Sequence, residues 1–245
     1  MNNIVLEAHA ISDIGTVREI NQDIFKIFSD HKLFSIADGM GGHKAGDVAA
    51  KETLEHLSYL LMKSFVKTQM NDEEVIYHLK IAIQEANFRV YNLNKKFEHL
   101  SGMGTTLCVM HFNEKSAIFA HVGDSRIYHI RKNELNQLTL DHSLINKLKA
   151  KNINNFNEKT VKNIITKAIG THPTVEPSIG TVLYEKEDLF LMCTDGLSDY
   201  VANDQILNIL KNHTIDLACQ KLIDQAKING SHDNITALIV KITSK

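Results

Sequence analysis

The chain has 245 residues, 43% of them hydrophobic and 23% charged, which excludes a disordered or low-complexity protein. Its 27 Lys plus Arg against 29 Asp plus Glu give a net charge of −2, without the basic excess of a nucleic-acid binder or the cationic clusters that hold proteins to anionic lipid. No apolar run approaches the ~20 residues of a membrane helix, and Met1–Ala10 lacks the basic start and apolar core of a secretory signal, so a cytoplasmic protein is expected. The three cysteines, Cys108, Cys193 and Cys219, form no CxxC pair and read as small buried hydrophobes.

Strands are predicted at Ile4–Ile11, Asp23–Phe28 and Leu33–Ala37, short β-type segments bounded by polar turns. The period then changes. Ala45, Val48, Ala49, Leu57, Leu60 and Leu61 share one helical face, and Val75, Leu79, Ala82, Ala86, Val90, Leu93 and Phe97 share another. Asn71 with Glu74 three residues on has the form of a capping box for the second helix. Strands return at Thr105–Met110, Ser116–Val122 and Ile127–Ile130, followed by a polar surface stretch from Lys147 to Lys162. Val175–Leu183 and Asp188–Cys193 read as strands, Asn203–Leu210 and Ile215–Lys227 as helices, and Asn234–Ile242 as a last strand. Strand blocks and helix pairs are segregated, which points to α+β with antiparallel sheets, and no composition break marks a domain boundary.

An aspartate recurs at strand ends. Asp38-Gly39 follows Leu33–Ala37, Gly123-Asp124 follows Ser116–Val122, and Asp195-Gly196 follows Leu189–Thr194; Asp233 and Asp23 each stand just before a strand. Any one alone is an ordinary turn residue. Strand ends lie side by side in a sheet, however, so several such carboxylates can converge on one cleft, where their charges must be neutralised by cations. All-oxygen donors suit Mg²⁺ or Mn²⁺ better than zinc or copper, and the glycine after Asp38 permits close backbone approach. Two ions about 3.5–4 Å apart can activate water for in-line displacement at phosphorus. Arg18, five residues before Asp23, has the fork geometry that grips two phosphate oxygens.

Other phosphate chemistries fail on spacing. The residue six beyond each cysteine is Glu114, Asp199 or Gln225, so no Cys-x5-Arg thiol phosphatase motif exists. There is no Asp-x-Asp, and Gly41-Gly42-His43-Lys44-Ala45-Gly46 places Asp47 where a phosphate loop needs lysine.

The order of the motifs is specific. Ser12-Asp13-Ile14-Gly15, Arg18 and Asn21-Gln22-Asp23 are followed by Asp38-Gly39-Met40-Gly41-Gly42-His43 and Gly102-Met103-Gly104-Thr105-Thr106. Then come Gly123-Asp124-Ser125-Arg126, Asp141-His142-Ser143, Cys193-Thr194-Asp195-Gly196-Leu197-Ser198-Asp199 and Asp233-Asn234-Ile235-Thr236. This series resembles the PPM, or type 2C, metal-dependent protein phosphatases, most closely their compact bacterial branch, over essentially the whole chain. The resemblance implies a central antiparallel β-sandwich flanked by pairs of antiparallel helices, a four-layer αββα. It implies one domain over residues 1–245 with a flap around 143–167, and a monomer. The implied reaction is hydrolysis of phosphoserine and phosphothreonine on phosphorylated proteins by a metal-bridging hydroxide, opposing a serine/threonine kinase. By the same resemblance Asp38, Asp195 and Asp233 hold a first Mn²⁺ or Mg²⁺. Asp23, Asp38 and the Gly39 carbonyl hold a second, partly through water, and Asp124 with Asp195 a third, weaker one. Arg18 is the implied phosphate clamp. Met40 stands where animal members carry a histidine proposed as general acid, which leaves His43 or a metal-bound water for that role. Gln22 stands where many members have Glu, and the stretch before Ile165–Gly170 lacks the common His-Pro…Arg-Asn signature. A catalytically dead scaffold would be marked by loss of the core aspartates, and all five are present. A metal-dependent phosphodiesterase or nuclease is disfavoured, since the composition suggests no basic groove.

Overall fold

The computed structural model describes residues 4–41, 45–65, 70–153, 155–157, 161 and 164–244. Among them, ten strands build two five-stranded antiparallel paths, and a further short strand pairs with an internal strand of the second. The first path contains β1 (Val5–Asp13), β7 (Arg126–Arg131), β8 (Glu134–Gln137), β10 (Leu189–Cys193) and β11 (Ile235–Ser244), in the order β1-β11-β10-β7-β8. The second contains β2 (Asp23–Phe28), β3 (Leu33–Met40), β5 (Leu107–Phe112), β6 (Ser116–Val122) and β9 (Ser178–Leu183), in the order β2-β3-β5-β6-β9, with β4 (Gly104–Thr105) on β3.

Side-chain alternation sends neighbouring residues of one strand into different cores. Phe34, Ile36, Cys108, Met110, Phe190, Met192, Leu238 and Val240 meet between the sheets. Their neighbours Leu33, Ala37 and Val109 face the other way, onto α1 (Ala45–Ser64) and α2 (Asp72–Lys96) through Leu54, Leu57, Leu61, Leu79, Ile83 and Val90. On the opposite flank Leu191, Cys193, Ala237 and Ile239 pack on α5 (Asn203–Asn212) and α6 (Ile215–Ile228) through Ile206, Ile209, Leu222 and Ile223. Burial on both faces explains why these strands read as continuous apolar runs. The three cores stack four layers, helix–sheet–sheet–helix, as the motif series implied.

The first helix pair is antiparallel, because a short connection joins one end while Glu52 and Arg89 meet at 2.6 Å further along. The capping box forms as predicted: the Glu74 amide donates to Asn71 Oδ1 at 2.9 Å, and the Asn71 amide donates to Glu74 Oε2 at 3.0 Å. Two further helices are short, α3 (Leu144–Ala150) and α4 (Asp195–Ser198).

Register decides where the chemistry sits. Asp23 pairs directly with Asp38 across β2 and β3, and Leu107 pairs with Val122, so Asp23, Asp38 and Asp124 share one end of the second sheet. In the first sheet Cys193 pairs with both Ala237 and Arg126, which puts Asp195 and Asp233 at the end that also carries the start of β7. Two features differ from the sequence reading. Asp38-Gly39 lies inside β3 and not beyond it, because Gly39 and Met40 pair with Thr105 and Gly104 of β4. The strand β8 was not anticipated: Glu134, Asn136 and Gln137 are polar, as an edge strand permits.

Candidate active site

Asp38 is fixed by its backbone before its side chain is considered. Its amide donates to Thr106 Oγ1 at 3.0 Å, and its carbonyl accepts from the Thr106 amide and Thr105 Oγ1, each at 2.8 Å. The Gly-Thr-Thr segment of the sequence thus serves as a cradle for Asp38. Gly39 is required by close approach: a Cβ there would lie 2.1 Å from the Gly46 carbonyl oxygen and 2.9 Å from that of Gln22. Gly196 is confined in the same way, with the Asn234 carbonyl 2.0 Å from any added Cβ.

Four carboxyls are buried enough to shift. Burial raises Asp38 well above the ordinary carboxylate range, and the charges of Asp23, Asp195, Asp233 and Asp124 push it the same way. Burial raises Asp23 to about 7 against the opposing pull of hydroxyl donors from Thr236 and Thr194. Asp124 rises to about 7 through burial and then Asp195. Asp195 rises to about 6 through burial and Asp233, partly offset by a hydrogen bond with the Asp38 side chain. The acids predicted from strand ends therefore feel one another at one end of the sandwich.

They are not drawn into a finished cage. Among the described residues no three Asp, Glu, His or Cys side chains close around a single point. Asp38 and Asp195 act on each other electrostatically. Asp23 Oδ2 accepts from Thr194 and Thr236. Asp233 Oδ2 takes the Arg18 guanidinium at 2.7 Å, while its Oδ1 accepts the Asn234 amide at 2.7 Å. Arg18, expected as a phosphate clamp, is thus an ion pair at the cleft mouth with its side chain 47% exposed.

The loop bearing Arg18 is pinned by Asn234. Its Nδ2 donates to the carbonyls of Ile14 and Ile20 at 2.9 and 3.0 Å, and its Oδ1 accepts the Gln22 amide at 2.9 Å. In the sequence Asn234 belongs to the Asp233–Thr236 motif and opens the last predicted strand, and neither position indicates this pinning role. Beside Asp124, Arg126 grips Asp141 through Nε and Nη2, with contacts down to 2.7 Å. These residues line a cavity of about 180 Å³ together with Asp195, Asp199, Ser143 and Asn146. Ser143 caps α3, and the stretch below that helix is closed by a bridge to Ile165. Part of the predicted flap (154, 158–160 and 162–163) lies outside the described residues, as does His43, the candidate general acid.

The donor set fits hard divalent cations. Every candidate ligand is an oxygen. Asp23 Oδ1 and Asp195 Oδ1 are buried without a hydrogen-bond partner, although such atoms are normally satisfied. Burial together with mutual repulsion raises these carboxyls, and positive charge placed among them would relieve that repulsion.

A two-sheet sandwich with an acidic, all-oxygen cleft and an arginine at its mouth is the architecture of a metal-dependent phosphate-ester hydrolase. The family profile described as Protein phosphatase 2C matches residues 16–225. Protein phosphatase PhpP of Streptococcus pneumoniae is 34% identical over 248 residues, covering 98% of this chain and 99% of that protein. The crystal structure of serine/threonine phosphatase Stp1 from Staphylococcus aureus superposes with a TM-score of 0.89 at 34% identity, covering 97% of this chain and 95% of that one. The catalytic domain of the serine/threonine protein phosphatase PstP, crystallised with two manganese ions, has a TM-score of 0.86 at 31% identity, covering 98% of this chain and all of that one. The chain belongs to the protein phosphatase 2C family.

Proposed function

We propose that this chain hydrolyses phosphoserine and phosphothreonine esters on proteins, in one step and with divalent cations bound. The carrying observation is the set of buried and half-buried acids at one end of the sandwich, two of them with a buried, unpartnered oxygen, beside a half-exposed arginine. Two manganese ions in the PstP structure support the cation requirement. Asp38, Asp195 and Asp233 are the proposed holders of one ion, and Asp23, Asp38 and the Gly39 carbonyl of another. Asp124 with Asp195 would hold a third, and Mg²⁺ is an alternative occupant of each position. When bound, the ions supply charge against the carboxylates, polarise the phosphate and acidify the attacking water.

The chain's own residues do the rest. Thr105 and Thr106 hold Asp38 at fixed height on β3, so it can face both halves of the cleft. Arg18 exchanges its Asp233 partner for two phosphate oxygens, keeping its fork satisfied while it orients the ester. The leaving seryl or threonyl oxygen takes a proton from His43 or from water. Residues 143–167 form the proposed flap, since Ser143, Ile145 and Asn146 wall the cavity containing Asp124 and Asp195. The reading extends to a single domain acting as a monomer, opposing a serine/threonine kinase. No described helix is long and apolar enough to cross a membrane, which is compatible with a cytoplasmic site of action.

Arg18→Ala tests the clamp. The KM for a phosphothreonyl peptide is expected to rise at least about tenfold, on the scale of one lost charge-assisted contact, with Mn²⁺ binding retained. Arg18→Lys should recover only part of the loss, because an ammonium cannot make the bidentate contact. An unchanged KM in steady-state assays of Arg18→Ala would remove Arg18 from the site.

A further inference from the structure

The two sheets carry different halves of the candidate cation site. Asp23 and Asp38 belong to β2 and β3 of one sheet, whereas Asp195 and Asp233 flank β10 and β11 of the other. The spacing of the carboxylates depends on what ties the sheets together at this end. One tie is buried in the cleft wall: Thr194 Oγ1 and Thr236 Oγ1 each lie 2.8 Å from Asp23 Oδ2. Both threonines are fully buried, and both come from the side opposite Asp23: Thr236 stands in β11 and Thr194 directly follows β10.

The direction of the protons follows from the surroundings. Thr194 Oγ1 accepts the Thr236 amide at 3.0 Å, so its own hydrogen is free for Asp23. Thr236 Oγ1 meets Ser12 Oγ at 2.9 Å, and Ser12 Oγ accepts the Asn21 side-chain amide at 2.9 Å. The Thr236 hydroxyl can donate to Ser12 Oγ or to Asp23 Oδ2, and the charged carboxylate at 2.8 Å is the stronger acceptor. A single carboxylate oxygen receives two hydroxyl donors, while the other, Oδ1, is buried without a partner. A carboxylate kept only for packing would have both oxygens satisfied.

We infer that Thr194 and Thr236 are positioning residues whose hydroxyls cross between the sheets to hold Asp23 by one oxygen and present the other to a divalent cation. The inference deepens the proposed function and rests on Asp23 being a cation ligand. Hydroxyls suit the task. They stabilise the ionised carboxylate against burial, and being neutral they add no charge to repel the ion. By bridging the sheets they also set the distance from Asp23 to Asp195, which neither sheet fixes alone.

The test is calorimetric titration of Mn²⁺ into chelator-stripped protein. Wild type is expected to bind two ions tightly, the proposed third being weaker. Thr194→Val and Thr236→Val, which remove the hydroxyl at nearly constant volume, are expected to weaken one of the two by about 10–100-fold, the usual effect of removing a ligand's support. Thr194→Ser and Thr236→Ser, which restore the donor, should return that affinity to near the wild-type value. Thermal melts in chelator check folding, and Thr194→Ala with Thr236→Ala repeats the titration if a valine variant is unfolded. Two ions bound by the hydroxyl-free variants with affinities within about twofold of wild type would overturn the positioning role while leaving the site intact. Serine variants as weak as the valine ones would also overturn it. Absence of Mn²⁺ binding to wild type would instead remove the site reading itself, and the inference with it.

Discussion

Asp38→Asn is expected to lower phosphopeptide hydrolysis by more than about 100-fold, since losing even a ligand's support commonly weakens a metal site by 10–100-fold. Asp38 is the largest lever for a physical reason. It is the carboxyl that burial and the four neighbouring aspartates raise together. The amide keeps the shape and removes the charge, so the Thr105–Thr106 cradle should hold and the variant should fold. In chelator it should melt at or above the wild-type temperature, because one source of like-charge repulsion is gone. Loss of activity with preserved melting is the expected signature. Steady-state rates for the folded variant within about threefold of wild type would show that Asp38 is dispensable.

The second large effect is an inversion of the pH dependence of stability by metal. In the folded protein Asp23 and Asp124 sit near 7 and Asp195 near 6, all raised from 3.8 chiefly by burial. A carboxyl whose folded value is raised binds its proton more tightly when folded. Its contribution is fully present below the unfolded value and is lost as pH rises through the folded one. In chelator, stability should therefore fall between about pH 4 and pH 7. Even about 2–3 kcal/mol surviving relaxation corresponds to roughly 5–10 °C of melting temperature at this chain length. With Mn²⁺ the trend reverses, because cations need deprotonated ligands and bind more tightly as pH rises. Melting curves from pH 5 to pH 8, with chelator and with Mn²⁺, should cross or diverge. Parallel curves would indicate that the raised carboxyls are not the cation site.

Much of the fold was legible because both period signals were strong. The Val75-to-Phe97 apolar stripe and the Asn71–Glu74 box gave α2 almost to the residue, and the apolar runs before Asp124 and Asp195 gave β6 and β10. The strand β8 was invisible, since an edge strand needs little apolar content and Leu135 is its one large hydrophobe. Asp38 was placed beyond its strand because Asp-Gly reads locally as a turn, whereas pairing with β4 carries the strand through it.

The site was legible in its acids and illegible in its supports. Aspartates at strand ends declare themselves through the adjacent apolar runs, and the sheet does the converging. Thr194, Thr236 and Asn234 stand inside the motif series, but nothing local declares what they support. Their importance lies in hydrogen bonds spanning 171, 213 and 212 residues of chain, to Asp23 and to the loop that bears Arg18. The Arg18–Asp233 pair was equally hidden, because its partners are 215 residues apart.

The most direct test is phosphate release from a phosphothreonyl peptide by chelator-stripped protein before and after Mn²⁺ is restored. The expected result is no release above background in chelator, and saturable release once the cation is returned. Release at full rate in chelator would contradict a cation-dependent phosphatase built on Asp38, Asp195 and Asp233.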